Sequence, residues 1–497
     1  MDIQLFLLSW SPVLLLTVLA VLLRRSALEL SVYGFIFSVV LTLYFFDTPL
    51  DVAILASLDG VLTSLPLLLV ILTGILLSSL LMASGSITRI VQWFEHGAGD
   101  AFSRNVLITF GVGNFMEGSG VIAEPVVAPM LFEAGVSPTG SAALSIIGYS
   151  GMMTLELAGV IITVLSLVTN LSLTDLGIAS AWLSVPATLT MALCVPFFLP
   201  LQNQGAQKLL LVLLCGLLLG ITGLATAIFV GIHISGTVAG LAVIIALVVL
   251  GSGRLDLNRG ILTDLAPFLF MLVCLFSVNI VPYLRELTFE KLIFRVSVVP
   301  IHSITFSPLF SAYVYLFLAF LLSIRLQRTA PEQLRKIVML SMKKGWRVFL
   351  AMGLFGAMGQ MISYTGYSSG FSHLDPAHNI PSIISKGLTH YSGNFYPIFV
   401  PVLGWVGTFL TGYGVASLML FGQLQVQAAT LLGVSPILLA AGLAVGSSVG
   451  SISSPFKVAL ATPMCGAVGK EGDILRWTIP LGLISSLIVG IVVWMIV

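Results

Sequence analysis

Gly113-Asn114-Phe115-Met116-Glu117-Gly118-Ser119-Gly120 recurs, at four of its eight positions, as Gly407-Thr408-Phe409-Leu410-Thr411-Gly412-Tyr413-Gly414. Further along, Gly135-Val136-Ser137-Pro138 returns intact as Gly433-Val434-Ser435-Pro436, and Ala142-Ala143 returns at the same distance as Ala440-Ala441. The order is kept and the offset drifts by only four residues. One short match is expected by chance in a chain with 48 glycines; three in register are not. The two copies therefore mark an internal repeat.

Each copy sits in an apolar stretch, 105–134 and 396–432, that Gly and Pro interrupt in the middle. Broken backbone at membrane depth is tolerated only where protein or a water-filled cavity covers it, so both stretches are expected to be re-entrant helical hairpins. Around them, runs of about 20 apolar residues, the length that crosses a bilayer, predict 12 full spans, at 3–23, 30–46, 61–84, 139–169, 176–201, 208–227, 235–251, 260–283, 304–324, 347–366, 436–469 and 475–497. The composition agrees. Of 497 residues, 58% are hydrophobic and 8% charged, and the mean hydropathy is +1.11, whereas soluble domains are about a quarter charged. The expectation is an all-α polytopic membrane protein, a single transporter domain over 1–497. Its inverted-repeat cores are 61–201 and 347–497. No basic region precedes the first apolar run, which reads as a retained span rather than a signal peptide.

Charge sets the orientation. The stretch 325–347 carries seven of the 21 Lys and Arg. Placed in the cytoplasm, it brings 16 of the 21 inside by alternation, with Arg285, Lys291, Arg295 and Lys386 outside and Lys457 at membrane depth. That bias is the positive-inside pattern. It puts both termini, and an acidic loop with Asp47, Asp51 and Asp59, outside. In this topology the hairpins enter from opposite sides, the plan of secondary transporters that bind substrate near the midplane. The net charge of +1 points to no nucleic acid. Cys194, Cys215, Cys274 and Cys465 lie in apolar stretches and read as buried packing residues. No nucleotide loop and no metal-ligand motif occurs, so ATP pumping, cofactors and metals are not expected.

The candidate chemistry lies at the interruptions. Gly118, Ser119 and Gly120 in one copy, and Thr411, Gly412, Tyr413 and Gly414 in the other, are candidates for tips whose backbone N–H groups meet an anion; close helix packing is the competing role for such glycines. Glu117, Glu124 and Glu156 are ionisable groups at membrane depth, where such residues mark ion or proton paths. Glu117, at the tip, is the first candidate for proton coupling; its alternative role is to tie hairpin amides together. Lys457, after the break Ser453-Ser454-Pro455, meets either a substrate carboxylate or one of the glutamates, the second being ranked first. Nearby serines more often bond back to their own helix. His373, His378 and His390 read as solvated loop residues, and His233 and His302 as span-end residues without an assigned role.

Phe115-Met116-Glu117-Gly118 with Pro125-Val126 resembles a segment of the L-lactate permease family. So does Phe399-Val400-Pro401-Val402-Leu403-Gly404-Trp405-Val406-Gly407 followed by Leu410-Thr411-Gly412, and the C-terminal series Gly433-Val434-Ser435, Ser454-Pro455 and Gly469-Lys470-Glu471. The resemblance covers about 105–169 and 396–477 well. It implies a cell-membrane symporter of lactate or a similar short-chain 2-hydroxy monocarboxylate, proton-coupled, with an elevator-type fold among membrane lipids. Elevator-type relatives often pair, which leaves a homodimer open.

The chain departs from the family pattern at the second tip, where Thr411-Gly412-Tyr413-Gly414-Val415-Ala416-Ser417-Leu418 replaces T-G-S-D-T-S-S-N. Tyr149-Ser150 stands in place of N-T, and Glu124 and Glu156 in place of small residues. Lys457 is six residues beyond the family's lysine position. Tyr149, Ser150, Tyr413, Ser454 and Lys457 are therefore candidate pocket residues. The alternatives are another organic or sulfonated anion, sodium coupling, a membrane-embedded enzyme and a passive channel.

Overall fold

The computed structural model describes residues 3–19, 23, 25, 27–97, 100–120, 122–200, 205–251, 258–412 and 414–497. Among these residues the chain is almost wholly helical, and nine helices are long and apolar enough to cross a membrane. The chain is thus an all-α polytopic membrane protein apart from one small β-hairpin.

Helices α1 (Ile3–Thr17) and α2 (Ala27–Phe45) precede α3 (Leu50–Ala83), which has 34 residues. At 1.5 Å per residue it is about 50 Å long, beyond the ~30 Å of hydrocarbon. The helix begins 11 residues before the expected span, directly after Pro49. Asp51 and Asp59 therefore lie in helix, not in an acidic loop. Amphipathic α4 (Ser86–Gly97) follows.

The first hairpin comes next. Its first arm runs as α5 (Ala101–Val106), a π-helical turn over Leu107–Val112, and α6 (Gly113–Gly118); its return arm is α7 (Glu124–Glu133). The second hairpin is α18 (Tyr396–Thr411) and α19 (Gly414–Leu432). The repeated Gly-Val-Ser-Pro leaves each hairpin by the same device. Gly135 (φ +88°) and Gly433 (φ +68°) turn the chain in the left-handed region. Ser137 and Ser435 then cap α8 (Pro138–Ser150) and α20 (Pro436–Gly450), each with Pro in the first turn.

Both of these helices stop short. The expected full spans 139–169 and 436–469 are interrupted: α8 gives way to irregular and 3-10 backbone before α9 (Val160–Thr169), and α20 to Ser451–Ser453 before α21 (Pro455–Ala461). In the first interruption Glu156 is extended (φ −92°, ψ −173°) and Leu157 and Gly159 turn at φ +48° and +72°; in the second Ser454 is extended (ψ 119°) before Pro455, whose ring disfavours helix at the preceding residue. Each broken element leads into a long helix, α10 (Leu173–Cys194) and α22 (Glu471–Ile496).

Helices α11 (Gly205–Phe229), α12 (Ser235–Leu250), α13 (Arg259–Ile280) and short α14 (Pro282–Arg285) lead to the hairpin β1 (Phe294–Val299) and β2 (His302–Phe306). The strands pair antiparallel, Val296 opposite Ile304 and Val299 opposite His302. Alternating β-branched residues favour strand here, and the span expected from 304 starts instead as α15 (Ala312–Leu326). The basic stretch is largely helix too: α16 (Pro331–Ser363) opens with Pro in its first turn. The expected outer loop 367–395 contains α17 (Ile380–Ser392).

The element order from α3 to α10 thus recurs from α16 to α22: a long helix, a short amphipathic one, a hairpin, an interrupted helix and a closing helix. Glycines set the contacts within and between these sets. A Cβ on Gly60 would lie 2.1 Å from the Gly356 carbonyl oxygen, where α3 crosses α16, and one on Gly446 would lie 2.0 Å from the Pro401 oxygen, where α20 crosses α18. Backbones this close are the membrane form of small-residue packing.

Candidate functional site

The two interruptions meet. Ser448 of α20 donates its hydroxyl to the Ser150 carbonyl at 2.6 Å and accepts the Thr154 amide at 3.2 Å. Thr154 shares a hydrogen bond with Ser184 of α10 at 3.1 Å. Backbone that leaves the helix here is therefore satisfied by side chains of the other repeat. Ser448 was within reach of sequence reasoning as one of a serine run; Thr154 was not singled out.

Beside this crossing lies a buried cluster of charges. Ser454 caps α21, its hydroxyl accepting from the Lys457 amide at 3.4 Å, and Lys457 lies in that first turn. Its Nζ is 3.0 Å from Glu124 Oε1 and 4.0 Å from Glu117 Oε1. It also stands over the Tyr149 ring, 5.0 Å from the centroid. The Tyr149 hydroxyl donates to the same Glu124 Oε1 at 2.5 Å. Glu124 Oε2 is buried without a hydrogen-bond partner, as are both carboxyl oxygens of Glu156. Glu156 occupies the first interruption and packs on the start of α12, where a Cβ on Gly236 would come within 2.8 Å of its Cγ. Lys457 is 5% exposed and each of the three glutamates 1% or less. Here one ammonium faces three carboxyl groups. A single ion pair leaves two carboxyls without countercharge, and at this burial each needs a proton or a cation.

Three of the tip amides that the sequence suggested as free, those of Ser119, Gly120 and Gly412, are already used. At the first tip, the Ser119 N–H donates to Phe115 O at 3.1 Å and the Gly120 N–H to Glu117 O at 3.0 Å; Gly120 turns at φ +82°. The free helix N-terminus belongs to α7, and Glu117 already serves it, its Oε1 accepting the Ala123 N–H at 3.1 Å. Glu117 thus ties the hairpin together. At the second tip, Gly412 turns at φ +81° and its N–H donates to Thr408 O at 2.8 Å. Thr411 and Ser150 send their hydroxyls back to Gly407 O and Ile146 O. Gly414 lies against Ser447, and Ser119 Oγ is buried without a partner. Tyr413 lies outside the described residues. The tips meet on α21: a Cβ on Gly412 would touch Phe456 at 2.8 Å, while Glu117 and Glu124 reach the adjacent Lys457.

A second buried cluster was not anticipated. His302 Nδ1 lies 3.0 and 2.8 Å from the two oxygens of Asp59, its Nε2 lies 2.7 Å from Leu167 O, and Tyr364 donates to Asp59 at 3.2 Å. An acidic residue inside the apolar run of α3 was the available signal. Burial alone would lower the His302 pKa, but the Asp59 carboxylate and the Leu167 carbonyl outweigh it and hold it above the ordinary 6.5. Among the histidines assigned to the outer loop, His378 Nδ1 lies 2.7 Å from Asp375, and His373 and His390 are exposed. Among the described residues no group of three or more His, Cys, Asp or Glu is placed to hold a metal ion.

A helical membrane bundle with buried charges where two interrupted helices cross has the architecture of a transporter. The chain belongs to the L-lactate permease family, whose model matches residues 5–252 and 262–497. L-lactate permease of Escherichia coli (strain K12) is 36% identical over 146 residues, a match that spans 29% of this chain and 26% of that protein. Glycolate permease GlcA of the same organism is 24% identical over 552 aligned positions, covering 97% of this chain and 93% of that protein. L-lactate permease of Streptococcus iniae is 23% identical over 432 positions, 82% and 87% of the two chains. The protein is accordingly a multi-pass cell-membrane permease and not an enzyme.

Proposed function

We propose that this chain is a proton-coupled symporter of lactate, glycolate or a similar short-chain 2-hydroxy monocarboxylate. The observation that carries the reading is Lys457, a buried ammonium in an interrupted helix, with a hairpin tip on each side of its turn. It is the positive group a carboxylate would seek at that depth. The surrounding glutamates supply the proton sites. Lys457 also favours the proton over sodium, because an ammonium among the carboxyls repels a second cation, whereas a proton bonds covalently and leaves a neutral group.

The recurring element order supports two inverted repeats, within 61–201 and 347–497, moving as an elevator. Helix α7, with 10 residues, is about 15 Å long and too short to cross the bilayer, which supports re-entry at the first hairpin. At the second, the contact of Gly412 with Phe456, next to buried Lys457, supports a turn inside the bundle. The basic stretch 325–347 then faces the cytoplasm and both termini the outside.

The test is uptake of labelled lactate and glycolate into proteoliposomes with an imposed pH gradient, sodium gradient or neither. Accumulation driven by the pH gradient is expected. Accumulation driven only by sodium would replace the coupling ion, and no saturable uptake of either acid would remove the cargo assignment.

A further inference from the structure

We propose that Glu124 and the substrate carboxylate compete for the single ammonium of Lys457, so that one proton enters on Glu124 with each anion bound. This rests on the carboxylate-symport reading and assigns its coupling step.

The geometry separates Glu124 from its neighbours. The titratable groups facing it are Glu117 on α6, Tyr149 on α8, Glu156 in the interruption and Lys457 on α21. Only Glu124 among the carboxyls holds Nζ at hydrogen-bond distance, 3.0 Å. Glu117 is 4.0 Å away and holds the Ala123 amide, and no ion pair joins Glu156 to Lys457 among the described residues. Protonating either of those leaves Lys457 occupied. Protonating Glu124 does not.

The atoms are placed for the exchange. Lys457 and Tyr149 both address Glu124 Oε1, while Oε2 is buried and unpartnered. A proton from water forms the O–H bond at Oε2. The side chain becomes neutral, and Oε1 still accepts from Tyr149, which keeps the carboxyl in place as a positioning residue. Lys457 retains all its protons and turns its charge to the incoming carboxylate. Before binding, the ion pair is Lys457 with Glu124; afterwards it is Lys457 with the anion, beside a neutral Glu124. The formal charge of the centre is unchanged, so the empty and loaded forms meet the same electrostatic cost of movement through the bilayer. Anion without proton leaves two carboxylates on one ammonium, and proton without anion leaves the ammonium unpaired. Both are costly in a buried site, and that is the coupling.

The experiment uses the full-length purified protein and Glu124→Gln, a neutral isostere of the protonated side chain. Calorimetry in buffers of different ionisation enthalpy counts protons taken up with lactate. Wild type is expected to take up one, with affinity falling about tenfold per pH unit on the alkaline side. E124Q is expected to bind lactate without proton uptake and without that pH dependence. In proteoliposomes it should exchange lactate but not accumulate it along a pH gradient. Proton uptake or gradient-driven accumulation retained by E124Q, or loss of binding by folded E124Q, overturns the proposal.

Two arms keep it falsifiable. In wild type, uptake should ignore a membrane potential imposed with valinomycin; accumulation that follows the potential overturns the one-proton exchange. If wild type binds neither lactate nor glycolate, the cargo assignment fails separately, and infrared spectroscopy without substrate still decides. A protonated-carboxyl band that grows on strong acidification, where the cost of the unpaired ammonium is overcome, and exceeds the Glu117 and Glu156 bands left in E124Q supports Glu124 as the acceptor; identical bands in wild type and E124Q refute it.

Discussion

Replacing Lys457 with Met removes the ammonium and keeps most of the stem, so the cavity contribution is small. What is lost is the 3.0 Å ion pair with Glu124, the longer attraction to Glu117 at 4.0 Å and the contact with the Tyr149 ring at 5.0 Å. Truncating one partner of a buried pair costs about 3–5 kcal/mol, since the other is left uncompensated, and the cation–π contact adds about 0.5–2 kcal/mol. Lys457→Met is therefore expected to destabilise the protein by roughly 3.5–7 kcal/mol. The double variant Lys457→Met/Glu124→Met removes both charges of the close pair; it strands the Tyr149 hydroxyl, at about 1–3 kcal/mol, and still lacks the longer attraction to Glu117. It should be more stable than Lys457→Met alone. Equilibrium unfolding in mixed SDS micelles, followed by tryptophan fluorescence, measures both. A single variant within about 1 kcal/mol of wild type, or a double variant no better than the sum of the two singles, would refute the buried ion pair.

His302 gives a pH prediction outside the membrane-spanning helices. Its folded pKa is raised above 6.5, so its contribution is fully present below the unfolded value of about 6.5 and is lost as pH rises through the folded value. Hydrogen exchange of amides 294–306 should show protection fading over that rise, and His302→Gln should abolish the change; the same fading in the variant would assign it elsewhere. For sidedness, exposed Lys336 and Arg295 are the probes. In vesicles of known orientation, Lys336→Cys should react with an impermeant maleimide from the cytoplasmic side only and Arg295→Cys from the outer side only, and the opposite pattern would invert the topology.

The repeated Gly-Val-Ser-Pro was legible because it is local chemistry: a left-handed glycine, a capping hydroxyl and a first-turn proline need no tertiary partner. The breaks after Gly118 and Thr411 were legible for the same reason. The interruption after Ser150 was not, whereas the second was marked by the break at Ser453-Ser454-Pro455. Hydropathy averages over the first, and the groups that satisfy the freed backbone, Ser448 for Ser150 O and the Thr154 amide, come from the opposite repeat about 300 residues away. Asp59 was misread for a related reason. An acid near a span end looks like a loop residue until His302 and Tyr364 are known to close on it. The tips were read as amide donors because glycines suggested open backbone, yet Ser119, Gly120 and Gly412 all end a helix, where the N–H is already used and the carbonyls are the unsatisfied groups.

Stability does not explain why this cluster exists. Well-packed apolar residues in place of a buried ion pair are often as stable or more so, and the surrounding helices are already held by contacts such as Gly446 on Pro401 and Gly60 on Gly356. Without Glu124, Lys457 keeps only the longer 4.0 Å attraction to Glu117, and without Lys457, Glu124 is a buried carboxylate with no ammonium beside it, so each is costly without the other. A matched pair of costly groups, placed on the two elements that meet at the centre, is what an exchangeable ion pair requires. Each partner must be held by its own repeat, Lys457 by the Ser454-capped turn and Glu124 by Tyr149 and the start of α7, so that the bond between them can open while both ends stay in place.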